Sequence, residues 1–195
     1  MIAGRGDGID LDTPFRWVVE GIEQPGPFFR ALPMLLQSDA ILYFEGESIA
    51  REVSGFYELH RAHNAVPVVR DAIFPVPDIY HVAYSRQVLD QLIEFAARYP
   101  IEGLFSHIKA YRGESLLFTF HDAFDNHMLV SEHVTEFAVG EFCRRLEVTC
   151  RREPNINKRD PEQLRRFLYA LENPDKVRFA RESWWRRLLR RVKRG

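Results

Sequence analysis

The sequence predicts a single α/β or α+β domain with a mixed sheet. Apolar and polar residues alternate along residues 104–121 on both sides of a tight turn, which indicates a central antiparallel hairpin. Apolar residues recur at helical spacing in residues 86–99 and 132–150, which indicates flanking helices. Helices alternate with strands early in the chain and a meander of strands follows, an order typical of this fold class.

Turn and capping signals bound the predicted elements before residue 100. Ser48 and Ser85 are placed to cap helices, and the unbroken apolar run 40–44 predicts a strand covered on both faces. Pro67 removes a ladder donor and Pro75 and Pro77 follow, so residues 65–74 are predicted to be an edge strand or a strand-like loop. These elements are strand 15–20, a short helix 28–37 interrupted by Pro33, strand 40–44, helix 48–63, the extended segment 65–74, strand 79–84 and helix 86–99.

The hairpin is predicted to turn at Arg112-Gly113, which pairs residue 111 with 114 and residue 107 with 118. This register places His107, Lys109, Phe118 and Phe120 on one face of the hairpin, because side chains alternate along a strand. We expect Phe118 and Phe120 to be core residues.

The remaining chain divides into a short strand 127–130, a helix 132–150 capped by Ser131, and further helices from residue 160. We therefore expect a mobile N-terminus at 1–12, an α/β domain at 13–151, a linker at 152–159 and a C-terminal helical extension at 160–195. Cys143 and Cys150 lie about 10 Å apart along the axis of the predicted helix, too far for a disulfide within it. Free thiols fit a reducing compartment.

Composition predicts an ordinary soluble protein, because the 195 residues are 46% hydrophobic. No signal peptide is expected, and no apolar run approaches the roughly 18 residues of a membrane-spanning helix. We expect a cytoplasmic protein, with peripheral attachment at the inner membrane surface as one outcome. No cofactor is predicted.

The C-terminal tail carries the most specific signal in the sequence. Residues 176–195 hold nine basic side chains and one acidic side chain, whereas the rest of the chain is acidic. At helical spacing the apolar residues form one stripe flanked by arginines, which is typical of a membrane-surface helix. Docking on the protein's own acidic body is the alternative, and nucleic acid is a weaker third because the body is not basic. The predicted contact residues are Trp184, Trp185, Arg186, Arg187, Leu188, Arg190 and Arg191.

A group of nitrogen and oxygen ligands lies around the turn after the hairpin. His121, Asp122, Asp125 and His127, with His133 nearby, form a set that Zn²⁺, Mn²⁺ or Fe²⁺ would accept. The same aspartates are also typical of a turn that satisfies its own backbone.

His107, Lys109 and Glu114 have a spacing that resembles the His-x-Lys-x4-Asp motif of the phospholipase D family. In that family the histidine attacks phosphorus and the lysine binds a phosphate oxygen, so the resemblance implies phosphoryl transfer. This sequence has Glu where the motif has Asp, and Leu116 to Phe120 replace the Gly-Ser and Asn expected further on.

Two classes of function follow from these patterns. The first is a small non-catalytic protein that works through protein or membrane-surface contacts made by its basic C-terminal helix. The alternative is a metal-dependent or phosphoryl-transfer hydrolase that uses the cluster at 121–133 or His107 with Lys109.

Overall fold

Seven strands and four helices follow one another along residues 8–72 and 76–155, which are the residues that the computed structural model describes. The strands are β1 (Phe15–Glu20), β2 (Ile41–Gly46), β3 (Asp78–Ala83), β4 (His107–Arg112), β5 (Ser115–Phe120), β6 (Met128–Ser131) and β7 (Thr149–Pro154). The helices are α1 (Pro25–Ala31), α2 (Arg51–Leu59), α3 (Arg86–Arg98) and α4 (Glu136–Leu146), with 3-10 turns at Leu32–Met34 and Ile101–Gly103.

The strands form one sheet in the order β3-β2-β4-β5-β6-β1-β7. Every neighbouring pair is antiparallel, so the expected single domain with a central hairpin and flanking helices is confirmed as α+β. The sheet is antiparallel rather than mixed, because no two neighbouring strands in the described residues are joined by a parallel crossover.

All four helices contribute to one hydrophobic core with alternate residues of the sheet. Phe28 of α1 is its centre, since its ring lies within 6.3 Å, centroid to centroid, of five other phenylalanine rings. Phe118 and Phe120 are fully buried in this core, as the alternation predicted. Aromatic rings of this size dominate the energetics of a core, so this face of the sheet stabilises the domain.

The opposite face of the sheet carries a smaller apolar cluster centred on Tyr43 and Tyr111. Two chain segments cover it, residues 8–11 and 62–72, joined by a parallel bridge between Ile9 and Val68. Leu11 is buried there, so the part of the predicted mobile N-terminus that the structure describes packs on the sheet. Of the two alternatives predicted for residues 65–74, the described part, residues 65–72, is the loop, which we call the covering loop; Pro67 has no backbone N–H to donate to a ladder.

The predicted register of the hairpin is wrong. The two-residue loop is Gly113-Glu114, where Gly113 has φ +55°, and the register shifts between Ala110 and Tyr111. The observed pairs are Arg112↔Ser115, Tyr111↔Leu116, Ala110↔Phe118, Lys109↔Thr119 and Ile108↔Phe120. A bulge of this kind inserts one residue and moves the following side chains to the other face. Phe118 and Phe120 therefore face the helices, whereas His107 and Lys109 face the covering loop.

Of the three serines predicted to cap helices, one does so and two do not. Ser85 caps α3 as predicted, because its Oγ accepts the Val88 N–H at 3.1 Å. Ser131 is a buried residue of β6, and Thr135 caps α4 in its place. Helix α2 begins at Arg51 without a side-chain cap, so Ser48 does not cap it.

The predicted helix 132–150 is too long at both ends. Helix α4 ends at Leu146, because Glu147 takes a left-handed conformation with φ 57° and the Val148 N–H donates to the Cys143 carbonyl at 3.0 Å. The chain then reverses into β7, which takes in residues 152–154, the expected start of the linker. Cys143 and Cys150 therefore lie on different elements.

Within the ranges 8–72 and 76–155, no helix has the length and apolar character needed to cross a membrane.

Candidate functional site: a buried polar cluster

Glu45 is a fully buried carboxylate on the face of β2 that the loop covers. Its oxygens accept hydrogen bonds from the Tyr43 hydroxyl at 2.9 Å, the Asp71 N–H at 3.2 Å and the Ala72 N–H at 2.6 Å. Burial and the Glu45 carboxylate raise the pKa of Tyr43, so its hydroxyl stays a donor. These donors replace the water that Glu45 loses on burial, and they hold residues 71–72 against the sheet.

Lys109 is the cation of the cluster, and its side chain is 3% exposed. It pairs across the sheet with Tyr43, whose ring centroid lies 5.7 Å from Nζ. Nζ donates to the Val69 carbonyl at 2.6 Å and lies 3.0 Å from Asp71 Oδ1. Two of the three ammonium protons therefore hold the covering loop, and the charge is shielded from solvent.

His107 and His121 stack on each other at the end of β4, with ring centroids 4.4 Å apart and planes inclined by 5°. His107 is the sheet neighbour of Glu45 and is buried, whereas His121 is about half exposed. Asp122 follows with φ 42°, and its N–H donates to His107 Nδ1 at 2.8 Å. The Asp122 carboxylate lies 3.1 Å from His121 Nε2, so one residue contacts both rings.

Burial, followed by the neighbouring His121, lowers the pKa of His107. The ring is therefore neutral at pH 7. Because Nδ1 accepts a hydrogen bond from Asp122, the proton of the neutral ring is placed on Nε2.

Asp71, His107 and His121 each offer one ligand atom, and these atoms all lie within 4.8 Å of one another. Along residues 8–72 and 76–155 this is the one group of three or more His, Cys, Asp or Glu residues with such spacing. Asp71 Oδ2 is buried and has no hydrogen-bond partner among those residues, and it lies 3.8 Å from His121 Nδ1. Two imidazoles and one carboxylate are a ligand set for Zn²⁺, Mn²⁺ or Fe²⁺.

The structure divides the predicted metal set. His121 and Asp122 lie in the cluster, whereas the Asp125 N–H closes the turn by donating to the Asp122 carbonyl at 3.0 Å. His127 Nε2 lies 3.7 Å from a Glu20 oxygen, and His133 is paired with Asp12. In the described part of the chain, His121 is therefore the one predicted ligand that belongs to the three-residue group.

The structure also separates the motif that resembles phospholipase D. His107 and Lys109 share a face, but Glu114 is exposed in the hairpin loop beyond the other end of β4. Lys109 is occupied by Asp71 and Val69, which leaves it poorly placed to bind a phosphate oxygen.

Two residues of the cluster escaped prediction. Glu45 directly follows the apolar run 40–44, and an acidic residue in a strand buried on both faces was a usable signal. Asp71 lies in the covering loop, 36 positions before His107, and its surroundings in the sequence carry no motif.

The tail residues Trp184, Trp185, Arg186, Arg187, Leu188, Arg190 and Arg191 lie outside the described residues. The contact predicted for them stays a prediction.

Comparison of the chain with protein-family models, with curated proteins and with solved structures finds no match.

Proposed function

We propose that this protein binds a divalent transition metal ion, of which Zn²⁺ is the type case, through Asp71, His107 and His121. The observation that carries the proposal is Asp71 Oδ2, a buried oxygen without a hydrogen-bond partner in the described residues that faces His121. Leaving a buried carboxylate oxygen unpaired is costly, and a metal ion would remove that cost.

One ring must turn before the ion is bound. A metal lies in the plane of each imidazole that ligates it, so two parallel stacked rings cannot both bind one ion as they stand. His121 is about half exposed, which leaves its ring room to turn about the Cβ–Cγ bond, whereas the His107 ring is buried. We therefore assign the movement to His121.

Asp122 is placed to support His107 as a ligand. Binding through His107 Nε2 would move the ring proton to Nδ1. The hydrogen bond from the Asp122 N–H to Nδ1 must then break, and Asp122 Oδ1, 3.5 Å from Nδ1, becomes the acceptor. Ligating histidines commonly donate their second N–H to a carboxylate in this way, which fixes the tautomer and raises ligand basicity.

Three protein ligands leave a fourth position for water, the arrangement of catalytic zinc sites. A metal ion lowers the pKa of such a water and supplies hydroxide near neutral pH. His121, one of the residues that would hold the ion, is about half exposed, as is Asp122, so the site would be open to a small substrate from solvent. Metal-dependent hydrolysis is the reaction class that this site supports.

The test is calorimetric titration of the chelator-treated full chain with Zn²⁺. We expect one equivalent to bind in the wild type, His121→Ala and Asp71→Asn to lose stoichiometric binding, and Asp122→Ala to weaken it by about 10- to 100-fold.

His133→Ala is the matched control, since His133 is also a partly exposed histidine beside a carboxylate and lies outside the cluster. Wild-type binding no tighter than that of His121→Ala would refute the metal site. Equal weakening by His133→Ala would assign the binding to surface histidines.

We propose a second function for the C-terminal tail, supported by its sequence: contact with an anionic membrane surface. Residues 174–194 combine an apolar Trp-Leu stripe with flanking arginines. Each basic residue near an anionic surface adds about 1 kcal/mol, which salt screens.

The tail is tested by sedimentation with anionic and neutral vesicles, comparing the full chain, a truncation at Asn173, and Trp184→Glu combined with Leu188→Glu. We expect strong binding of the full chain to anionic vesicles at low salt, and loss of that binding in both variants. Binding that survives the double substitution would show that the tail binds through its charge and not through its apolar stripe. Absence of binding, with a large loss of thermal stability on truncation, would show that the tail docks on its own protein.

A further inference from the structure

Cys143 and Cys150 form a second cluster of reactive side chains, separate from the metal ligands. Cys143 is buried near the end of α4, and Cys150 is exposed on β7. The reversal at Glu147 and Val148 joins the two elements, because the Val148 N–H returns to the Cys143 carbonyl at 3.0 Å.

The pairing of β7 with β1 brings both thiols to the same side of the sheet. Cys150 lies opposite Val19, and residues paired across an antiparallel ladder project to the same face. Val19 belongs to the core that the helices cover, and so does Cys143. Cys150 therefore projects toward the helix that carries Cys143.

The two sulfurs are near enough to influence each other. Burial, followed by the neighbouring Cys150 thiol, raises the pKa of the Cys143 thiol to about 12. Cys143 is therefore protonated at rest, and the exposed Cys150 is the thiol that meets an external reagent.

We propose that Cys143 and Cys150 are a redox pair that closes an intramolecular disulfide on reaction with a small-molecule disulfide of the glutathione class. The Cys150 thiolate attacks one sulfur of the oxidised reagent, the S–S bond of the reagent breaks, and one reagent thiol leaves. Cys143 then loses its proton and attacks the Cys150 sulfur of the mixed disulfide, which releases the second reagent thiol. Two protein thiols are oxidised, one reagent disulfide is reduced, and the two protein protons end on the released thiols.

The disulfide would tie β7 to α4. Within the described residues β7 is an edge strand whose ladder partner is β1 alone. The bond would add a covalent link where the chain leaves the domain, and it is independent of the proposed metal site.

The test uses the reduced full chain, incubated without metal with oxidised glutathione and analysed by intact mass and peptide mapping. We expect the wild type to lose the mass of two hydrogens through a Cys143–Cys150 bond, with a rise in thermal midpoint that dithiothreitol reverses. Cys143→Ser should retain one glutathione on Cys150, and Cys150→Ser should stay unmodified because Cys143 is buried.

Three results would overturn the proposal. The wild type could retain glutathione on Cys150, as Cys143→Ser is expected to do. It could keep two free thiols after incubation, or it could form disulfide-linked dimers in place of the internal bond. Circular dichroism of both serine variants, recorded before oxidation, separates loss of the pair from loss of the fold.

Discussion

Replacing Phe120 by alanine is expected to lower the free energy of unfolding by about 3 to 5 kcal/mol. Phe120 is fully buried, and its ring lies 5.6 Å from that of Phe28 and 5.2 Å from that of Phe124. Close packing of three aromatic rings leaves little freedom to collapse into the space that the substitution creates, so most of the cavity would persist. Chemical denaturation with the linear extrapolation method measures the effect.

Phe137→Ala is the matched control, because Phe137 is 78% exposed on α4. We expect this change to stay within about 0.5 kcal/mol of the wild type. A similar small change for Phe120→Ala would contradict its placement at the centre of the core.

Replacing Lys109 by methionine is expected to destabilise the protein by about 3 to 5 kcal/mol, the usual result of removing one member of a buried ion pair. Methionine fills much of the same space, so packing is largely kept. The loss leaves the Asp71 carboxylate without its cation and the Val69 carbonyl without its donor. Urea denaturation in the presence of chelator measures it without a contribution from metal binding.

Arg98→Met is the control for this prediction. Arg98 also pairs with a carboxylate, that of Glu52, but the two side chains are 48% and 51% exposed. Exposed pairs contribute about 0 to 1 kcal/mol. A double-variant cycle of Lys109→Met with Asp71→Asn should show strong coupling, and strict additivity would mean that the two residues do not act as a pair.

Hydrophobic periodicity correctly predicted the elements whose boundaries and buried face depend on their own sequence. The helix 86–99 was predicted almost to the residue, because Ser85 caps it, Pro100 follows it, and its apolar stripe meets the core. The hairpin was located correctly, but its register depends on a bulge at Ala110 and Tyr111, and alternation on either side of a turn does not reveal an inserted residue.

The candidate site depends on contacts across the sheet that spacing along the chain does not encode. His107, Lys109, His121 and Asp122 were all singled out from the sequence, but in two alternative sites rather than one. The covering loop joins the two sites, because its Asp71 contacts Lys109 and forms the three-residue group with His107 and His121. A loop held by hydrogen bonds to a buried Glu45 has no periodic pattern, so Asp71 could not be assigned to the site from the sequence.

Because β1 lies between β6 and β7 in the sheet, it cannot form its strand pairs until late in synthesis. β1 leaves the ribosome early, but the strands that pair with it, Met128–Ser131 and Thr149–Pro154, follow more than a hundred residues later. At the usual speed of translation this delay lasts about 5 to 30 s. During that interval the nascent chain carries an apolar strand with both edges unpaired, which is the kind of segment that aggregates or recruits a chaperone. β1 is therefore the segment that a ribosome-associated chaperone is expected to protect.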